Sequence, residues 1–184
     1  IEGVMGYYDG IATTTEASSW QLAKATQTPV VLVLNCKGMS VSIAAQLGGY
    51  LSYQPDSQIK GVILNQVSKS IYPEIKALIE QRYDVAVCGY MPKMSDCSLE
   101  SRHLGLVGAD EIKSFDEKLE YLADVMEKTV DIDAVMKLAK TAEKLEYEAE
   151  KDVGTDSKSC VNIAIAKDEA FCFLYDEIKS HSIS

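Results

Sequence analysis

Two carboxylates open the chain, Glu2 and Asp9 within IEGVMGYYDG at positions 1–10. Glu2 precedes a glycine, as at the tip of a strand. A carboxylate placed there can hold Mg²⁺, directly or through water, beside nucleotide phosphates. Gly3, Gly6 and Gly10 leave the backbone free to turn and to approach a ligand. Asp9 adds a second acid, preceded by Tyr7 and Tyr8. The residue types fit a metal-and-substrate loop, and they equally fit a glycine-rich turn with solvated acids. A phosphate cradle of the form G-x-x-x-x-G-K-[ST] occurs nowhere in the chain. GTDSKS at 154–159 imitates its end but lacks the second glycine and a strand-to-helix setting. Without backbone amides around the phosphates and the lysine, ATP hydrolysis by this chain alone is not expected.

The elements that would position such groups read as alternating strand and helix. VVLVL at 30–34, GVIL at 61–64 and DVAVC at 84–88 are short apolar runs. The first is continuous and Val-rich, which suits a parallel strand covered on both faces. Between them, 17–27, 39–53 and 73–82 carry helical spacing. Ala44, Ala45, Leu47 and Leu51 form one stripe, and Ile75, Leu78 and Ile79 another behind an N-terminal Pro73. This order predicts βαβ units with right-handed crossovers over a parallel sheet. The runs end in Asn35-Cys36-Lys37-Gly38, Asn65-Gln66 and Gly89-Tyr90. Ligands of open α/β sheets bind at those carboxyl ends.

After Gly108, apolar residues from Phe115 to Met126 and from Val135 to Leu145 predict two amphipathic helices. Asp131 or Asp133 would cap the second. KDVGTDSKS at 151–159 reads as a linker, and VNIAIA at 161–166 resumes a strand pattern. The expected organisation is therefore one domain over 1–150, a linker over 151–159 and the opening of another domain over 160–184. A chain starting at Ile1, straight into a motif, is expected to be cut there, and the unfinished second domain points the same way at the other end.

Twenty-eight acidic and 18 basic residues give a formal charge of −10, which disfavours a nucleic-acid partner. No apolar run approaches the ~20 residues of a membrane span, and no signal peptide opens the chain, so a cytoplasmic protein is expected. Five cysteines without a C-x-x-C pair, and only two histidines, offer little for zinc. Cys36 and Cys88, in apolar surroundings, are expected as small buried side chains.

IEGVMGYYDG, TPVVLVLNCKGMS at 28–40, KGVILNQV at 60–67 and SRHLGLV at 101–107, in this order, closely resemble the synthetase domain of the cobyrinic acid a,c-diamide synthases. AIAKDEAFCFLY at 164–175 resembles the first strand of the glutamine amidotransferase domain that follows there. The resemblance implies a P-loop-type α/β domain similar to dethiobiotin synthetase, then a class I glutaminase domain. It implies ATP and Mg²⁺ as cofactors, a corrin as substrate and glutamine as nitrogen source, with a homodimer left open. Glu2 matches the family's Mg²⁺-binding acid. Asp9 matches an acid near the substrate carboxylates, with Tyr8 close by. Asn65 matches an asparagine that reads the adenine edge, or serves only as a strand-end cap, and Pro92 would line the adenine pocket. Arg102 and His103 match a family motif, as partners of a corrin carboxylate or as a structural ion pair. The family's P-loop and its glutaminase cysteine and histidine have no match here; Cys160, Cys172 and His181 are misplaced for those roles. The same motifs admit a nickel tetrapyrrole with two acetate chains as substrate. A ParA/MinD-like partitioning ATPase would instead need a basic amphipathic helix, and 113–150 is acidic.

Overall fold

The computed structural model describes residues 1–3, 5–97, 114–146 and 164–166. Three strands, β1 (Val30–Asn35), β2 (Ile59–Asn65) and β3 (Ala86–Met91), pair in parallel in the order β1-β2-β3. Helix α1 (Ser19–Ala25) leads into β1, α2 (Ser42–Tyr53) joins β1 to β2, and α3 (Tyr72–Arg82) joins β2 to β3. Parallel neighbours need such crossovers, and two right-handed ones stepping the same way put both helices on one face. There Ile43 and Leu47 of α2 and Ile75 and Ile79 of α3 meet Leu32, Leu34, Val62, Leu64 and Val87 in one core. Ile43, Leu47, Val62, Leu64 and Ile79 retain essentially no exposure. Each such side chain contributes about 1.5–3 kcal/mol on burial. The expected α/β class with a parallel sheet and flanking helices is what the chain adopts.

The opposite face is thinner. Helix α4 (Phe115–Thr129) packs on β3, and α5 (Ile132–Ala139) on β2 and β3, with Leu138 reaching Gly61. No residue of either helix is fully buried, and Leu119, Ile132 and Met136 stay exposed. Val33, on this face of β1, is 62% exposed, and the second edge of β1 is unpaired among the described residues. The corner between α4 and α5 closes on β3: Val130 bridges Gly89, and the Asp131 amide donates to Cys88 O at 2.7 Å. Gly89 has φ +145°, and a Cβ there would meet the Thr129 carbonyl and the Val130 Cα. Only glycine fits that backbone and that approach.

Several boundaries differ from expectation. β3 starts two residues later than Asp84 and runs on to Met91, and a bulge inserts Cys88 between the pairs Val62–Val87 and Ile63–Gly89. Ala45 is exposed, and Ile43 takes its place in the α2 stripe. Helix α5 ends at Ala139 instead of running to Leu145. The Thr141 amide and hydroxyl both donate to Leu138 O, at 2.9 and 2.7 Å, which tightens the last turn and stops it. Asp131 is the cap, its Oδ1 accepting from the Ala134 amide. The expected linker lies outside the described residues. So does most of the expected strand at 161–166; residues 164–166 are exposed and in neither helix nor strand. No helix among the described residues is long and apolar enough to cross a membrane.

Candidate functional site

The apolar runs break at Asn35, Asn65 and Met91, and the parallel register aligns these three residues across the sheet. The carboxyl edge is thereby a row of strand ends. Asn35 Oδ1 accepts from the Lys37 amide, turning the chain out of β1. At Asn65 the backbone carbonyl accepts from the Cys36 amide, while its half-buried side-chain amide bonds to nothing among the described residues. A free carboxamide offers a donor and an acceptor side by side. The Val67 amide donates to Met91 O, drawing the β2 exit against β3, and Pro92, half-buried, follows immediately. Asn65 and Pro92 thus stand at neighbouring strand ends. Burial pushes the Cys36 thiol up to about 11, against a hydrogen bond from the Asn65 backbone that lowers it, so Cys36 is an inert neutral thiol under this edge.

The loop carrying Glu2, Tyr8 and Asp9 is held by aromatic anchors. The Trp20 amide donates to Tyr7 O, Tyr7 Oη to Ser57 O at 2.5 Å, Tyr8 Oη to Tyr50 O at 2.6 Å, and Trp20 Nε1 to Asp56 O at 3.1 Å. Tyr50, Asp56 and Ser57 belong to the end of α2 and its exit towards the start of β2. The start of β2 lies about 20 Å of strand away from Asn65. Tyr8 is therefore tied towards the amino edge of the sheet, and the structure does not join it to Asn65 and Pro92. Burial, then the neighbouring Asp56, pushes the Tyr8 hydroxyl up to about 12, and burial pushes Tyr7 higher still. Both are neutral hydrogen-bond donors at neutral pH.

Within the loop the Asp9 amide donates to Gly6 O, and Gly10 and Ile11 amides donate to Thr14 O and Glu16 O. A Cβ at Gly6 would collide with Asp9 Oδ2, so the glycine is what lets the carboxylate fold back over the turn. Glu2 and Asp9 are exposed and accept no hydrogen bond among the described residues. Their oxygens are open to a hydrated divalent cation, which takes one or two carboxylates and completes its shell with water and phosphate. No group of three metal-binding side chains exists among the described residues. Arg102 and His103 lie outside them. A shallow groove lined by Gln27, Gln58, Lys60, Asp84 and Glu143 sits at the amino edge, away from the strand ends.

An aromatic cluster escaped the sequence reading. Tyr8 lies 4.8 Å from Tyr7, 6.1 Å from Trp20, 6.0 Å from Tyr50 in a stacked arrangement, and 4.8 Å from Tyr53, all centroid to centroid. Lys24 Nζ lies 5.1 Å over the Trp20 ring and 2.9 Å from Asp56 Oδ2. The Tyr50–Tyr53 spacing on one helical face was the available signal.

Curated proteins match nearly the whole chain. A cobyrinate a,c-diamide synthase of Caldanaerobacter subterraneus subsp. tengcongensis is 42% identical over 178 residues, and one of Clostridium acetobutylicum is 41% identical over 180. One of Saccharolobus solfataricus is 36% identical over 178 residues. Each match takes in 96% of this chain but only 39–40% of the relative, so the chain spans about two fifths of the length of these proteins. No protein-family profile matches the chain. No solved structure matches it either.

Proposed function

We propose that this chain, a relative of the cobyrinate a,c-diamide synthases, supplies part of a ligase of cobalamin biosynthesis that amidates the a and c acetate carboxylates of cobyrinic acid with ATP and glutamine. The observation that carries the reading is the identity of 36–42% over 96% of the chain to synthases that share this one name. In the proposed reaction a substrate carboxylate oxygen attacks the γ-phosphorus of ATP and ADP departs. Ammonia from glutamine then attacks the acyl carbon and expels phosphate, leaving the amide. Phosphorylation converts a poor leaving oxygen into a good one, and the protein positions the groups and balances charge.

In this reading the Asn65 carboxamide pairs with the adenine edge, and Pro92 walls the base. Glu2, exposed and without a hydrogen-bond partner among the described residues, holds Mg²⁺. When bound, Mg²⁺ neutralises the phosphate charge that builds up during transfer. Asp9 orients the substrate end, and Tyr8, neutral at physiological pH, stiffens the loop that carries it. Arg102 and His103 are assigned to the corrin carboxylates. The chain as given, with no phosphate-gripping glycine loop, is assigned no turnover of its own.

The test exchanges the matched segment of the Clostridium acetobutylicum synthase for this chain and supplies cobyrinate, ATP, Mg²⁺ and glutamine. The expected result is cobyrinate a,c-diamide by mass spectrometry with one phosphate released per amide, and a loss of kcat of at least about hundredfold in Glu2→Gln. A folded hybrid that amidates a nickel tetrapyrrole but not cobyrinate would overturn the substrate assignment.

A further inference from the structure

Backbone strain and unused hydrogen-bonding capacity coincide at one residue of the carboxyl edge. Gln66, the first residue after β2, has φ +65°. A left-handed backbone is uncommon for a side chain of this size and persists only where the surroundings hold it. Both neighbours are pinned: the Asn65 carbonyl accepts from the Cys36 amide, and the Val67 amide donates to Met91 O. Val67 is 1% exposed. Gln66 thus turns between two fixed points and leaves the alternation of the strand. The other non-glycine residues with positive φ lie elsewhere or have their polar group engaged. Ala12 and Ala17 carry no polar side chain, Gln27 donates its carboxamide to Lys24 O, Gln58 stands at the amino edge, and Ser114 precedes α4.

The Gln66 side chain is half-buried and, like that of Asn65, has no hydrogen-bond partner among the described residues. No described side chain hides an unpartnered polar atom from solvent, so both carboxamides stay within reach of a ligand. One carboxamide alone discriminates purines poorly. Half a turn exchanges its oxygen and its NH₂, so Asn65 by itself meets an amine or a carbonyl equally well. A second carboxamide on the next residue, on a backbone pinned at both sides, removes that freedom. We infer that Gln66 is a specificity-determining residue of the base site: its carboxamide bonds the purine edge beside Asn65, and the pair selects the 6-amino purine of ATP over a 6-oxo purine. This rests on the reading of Asn65 and Pro92 as the adenine end of an ATP site and adds the residue that tells one purine from another. Polar groups matched to an amine are left unmatched when a carbonyl replaces it, and that mismatch rejects the analogue.

The hybrid synthase carrying this chain is titrated calorimetrically with ATP and, separately, with inosine triphosphate, a 6-oxo purine without adenine's amine. The wild type is expected to bind ATP more tightly. Gln66→Gly adopts the positive φ without strain, so its unfolding midpoint should match or exceed that of the wild type. It is expected to bind ATP about tenfold more weakly and to lose most of the preference over inosine triphosphate. In turnover it should raise KM for ATP with kcat unchanged, a split that a general loosening of the edge would not give. Gln66→Asn keeps a carboxamide and tolerates the same backbone, and it should lie between the two. Affinity and preference unchanged in Gln66→Gly overturn the specificity role and leave the proposed function standing. Equal affinity of the wild type for the two nucleotides overturns the role in the same way. A folded hybrid that binds neither nucleotide overturns both the role and the proposed use of ATP.

Discussion

Replacing Gly89 by alanine tests whether the α4–α5 corner closes on the sheet as described. Two costs act together. At φ +145° an L side chain is strained, which costs about 1–3 kcal/mol. The new Cβ would also lie 2.5 Å from Thr129 O and 2.6 Å from Val130 Cα, both backbone atoms with no rotamer to escape into. Overpacking of that kind costs about 1–3 kcal/mol. The expected total is about 3 kcal/mol. With a urea m-value of about 2 kcal/mol/M, the unfolding midpoint falls by about 1.5 M with m unchanged. Gly49 supplies the control: it lies exposed in α2 with nothing within 4 Å of an added Cβ. Gly49→Ala should raise the midpoint, since alanine in a helix interior gains about 0.5–1 kcal/mol over glycine. Equal midpoints for Gly89→Ala and wild type, measured by circular dichroism and Trp20 fluorescence together, would refute the closure of Thr129 and Val130 on β3.

Alkaline unfolding follows from the tyrosines. The folded Tyr8 hydroxyl titrates at about 12, against 10.0 unfolded, chiefly through burial. A folded state that keeps its proton longer loses stability as pH rises from 10 towards 12 and is unaffected below 10. Tyr8→Phe should flatten the fall of midpoint between pH 10 and 12, and an unchanged slope would contradict the placement of Tyr8 against α2. Thiol accessibility gives another check: Cys36 and Cys88 are buried and burial raises both thiols, whereas Cys97 is partly exposed. Peptide mapping after brief treatment with a thiol reagent at pH 8 should find Cys97 modified before Cys36 or Cys88, and earlier modification of either buried thiol would count against the core.

The alternation of strand and helix was legible because the strands are short apolar runs, and their exits are marked by Asn35 and Asn65; the expectation that Val30–Leu34 is covered on both faces does not hold among the described residues, where Val33 is 62% exposed. The position of Asn65 at a strand end followed from that pattern, whereas Pro92 was singled out only through the family resemblance and comes to a strand end because β3 runs on to Met91. β3 was misplaced because Asp84 and Val85 look like a strand start, while the backbone that continues through Gly89 depends on a helix corner forty residues later. The aromatic cluster was invisible for a similar reason. Tyr8, Trp20 and Tyr53 are ordinary residues in their own segments, and only the docking of the first loop on α2 brings them together. The acids Glu2 and Asp9 stood out by type and glycine context, but the direction in which the loop is anchored is set by tertiary contacts that no local spacing encodes.

The extra residue in β3 acts as a phase shifter. Side chains of a strand normally alternate, yet Val87 and Tyr90, three apart, align with Val62 and Leu64 and join the same core, where Tyr90 meets Tyr72 of α3 at 4.4 Å. Closing the bulge with Cys88 kept in the ladder would restore strict alternation along 87–90 and throw Tyr90 across the sheet, towards the backbone of Thr129 and Val130. With Cys88 deleted, Val87 and Tyr90 would stand two apart and share the core face without a bulge, at the loss of the Cys88 carbonyl that accepts the Asp131 amide: the extra residue serves the α4–α5 corner as well as the phase of the strand.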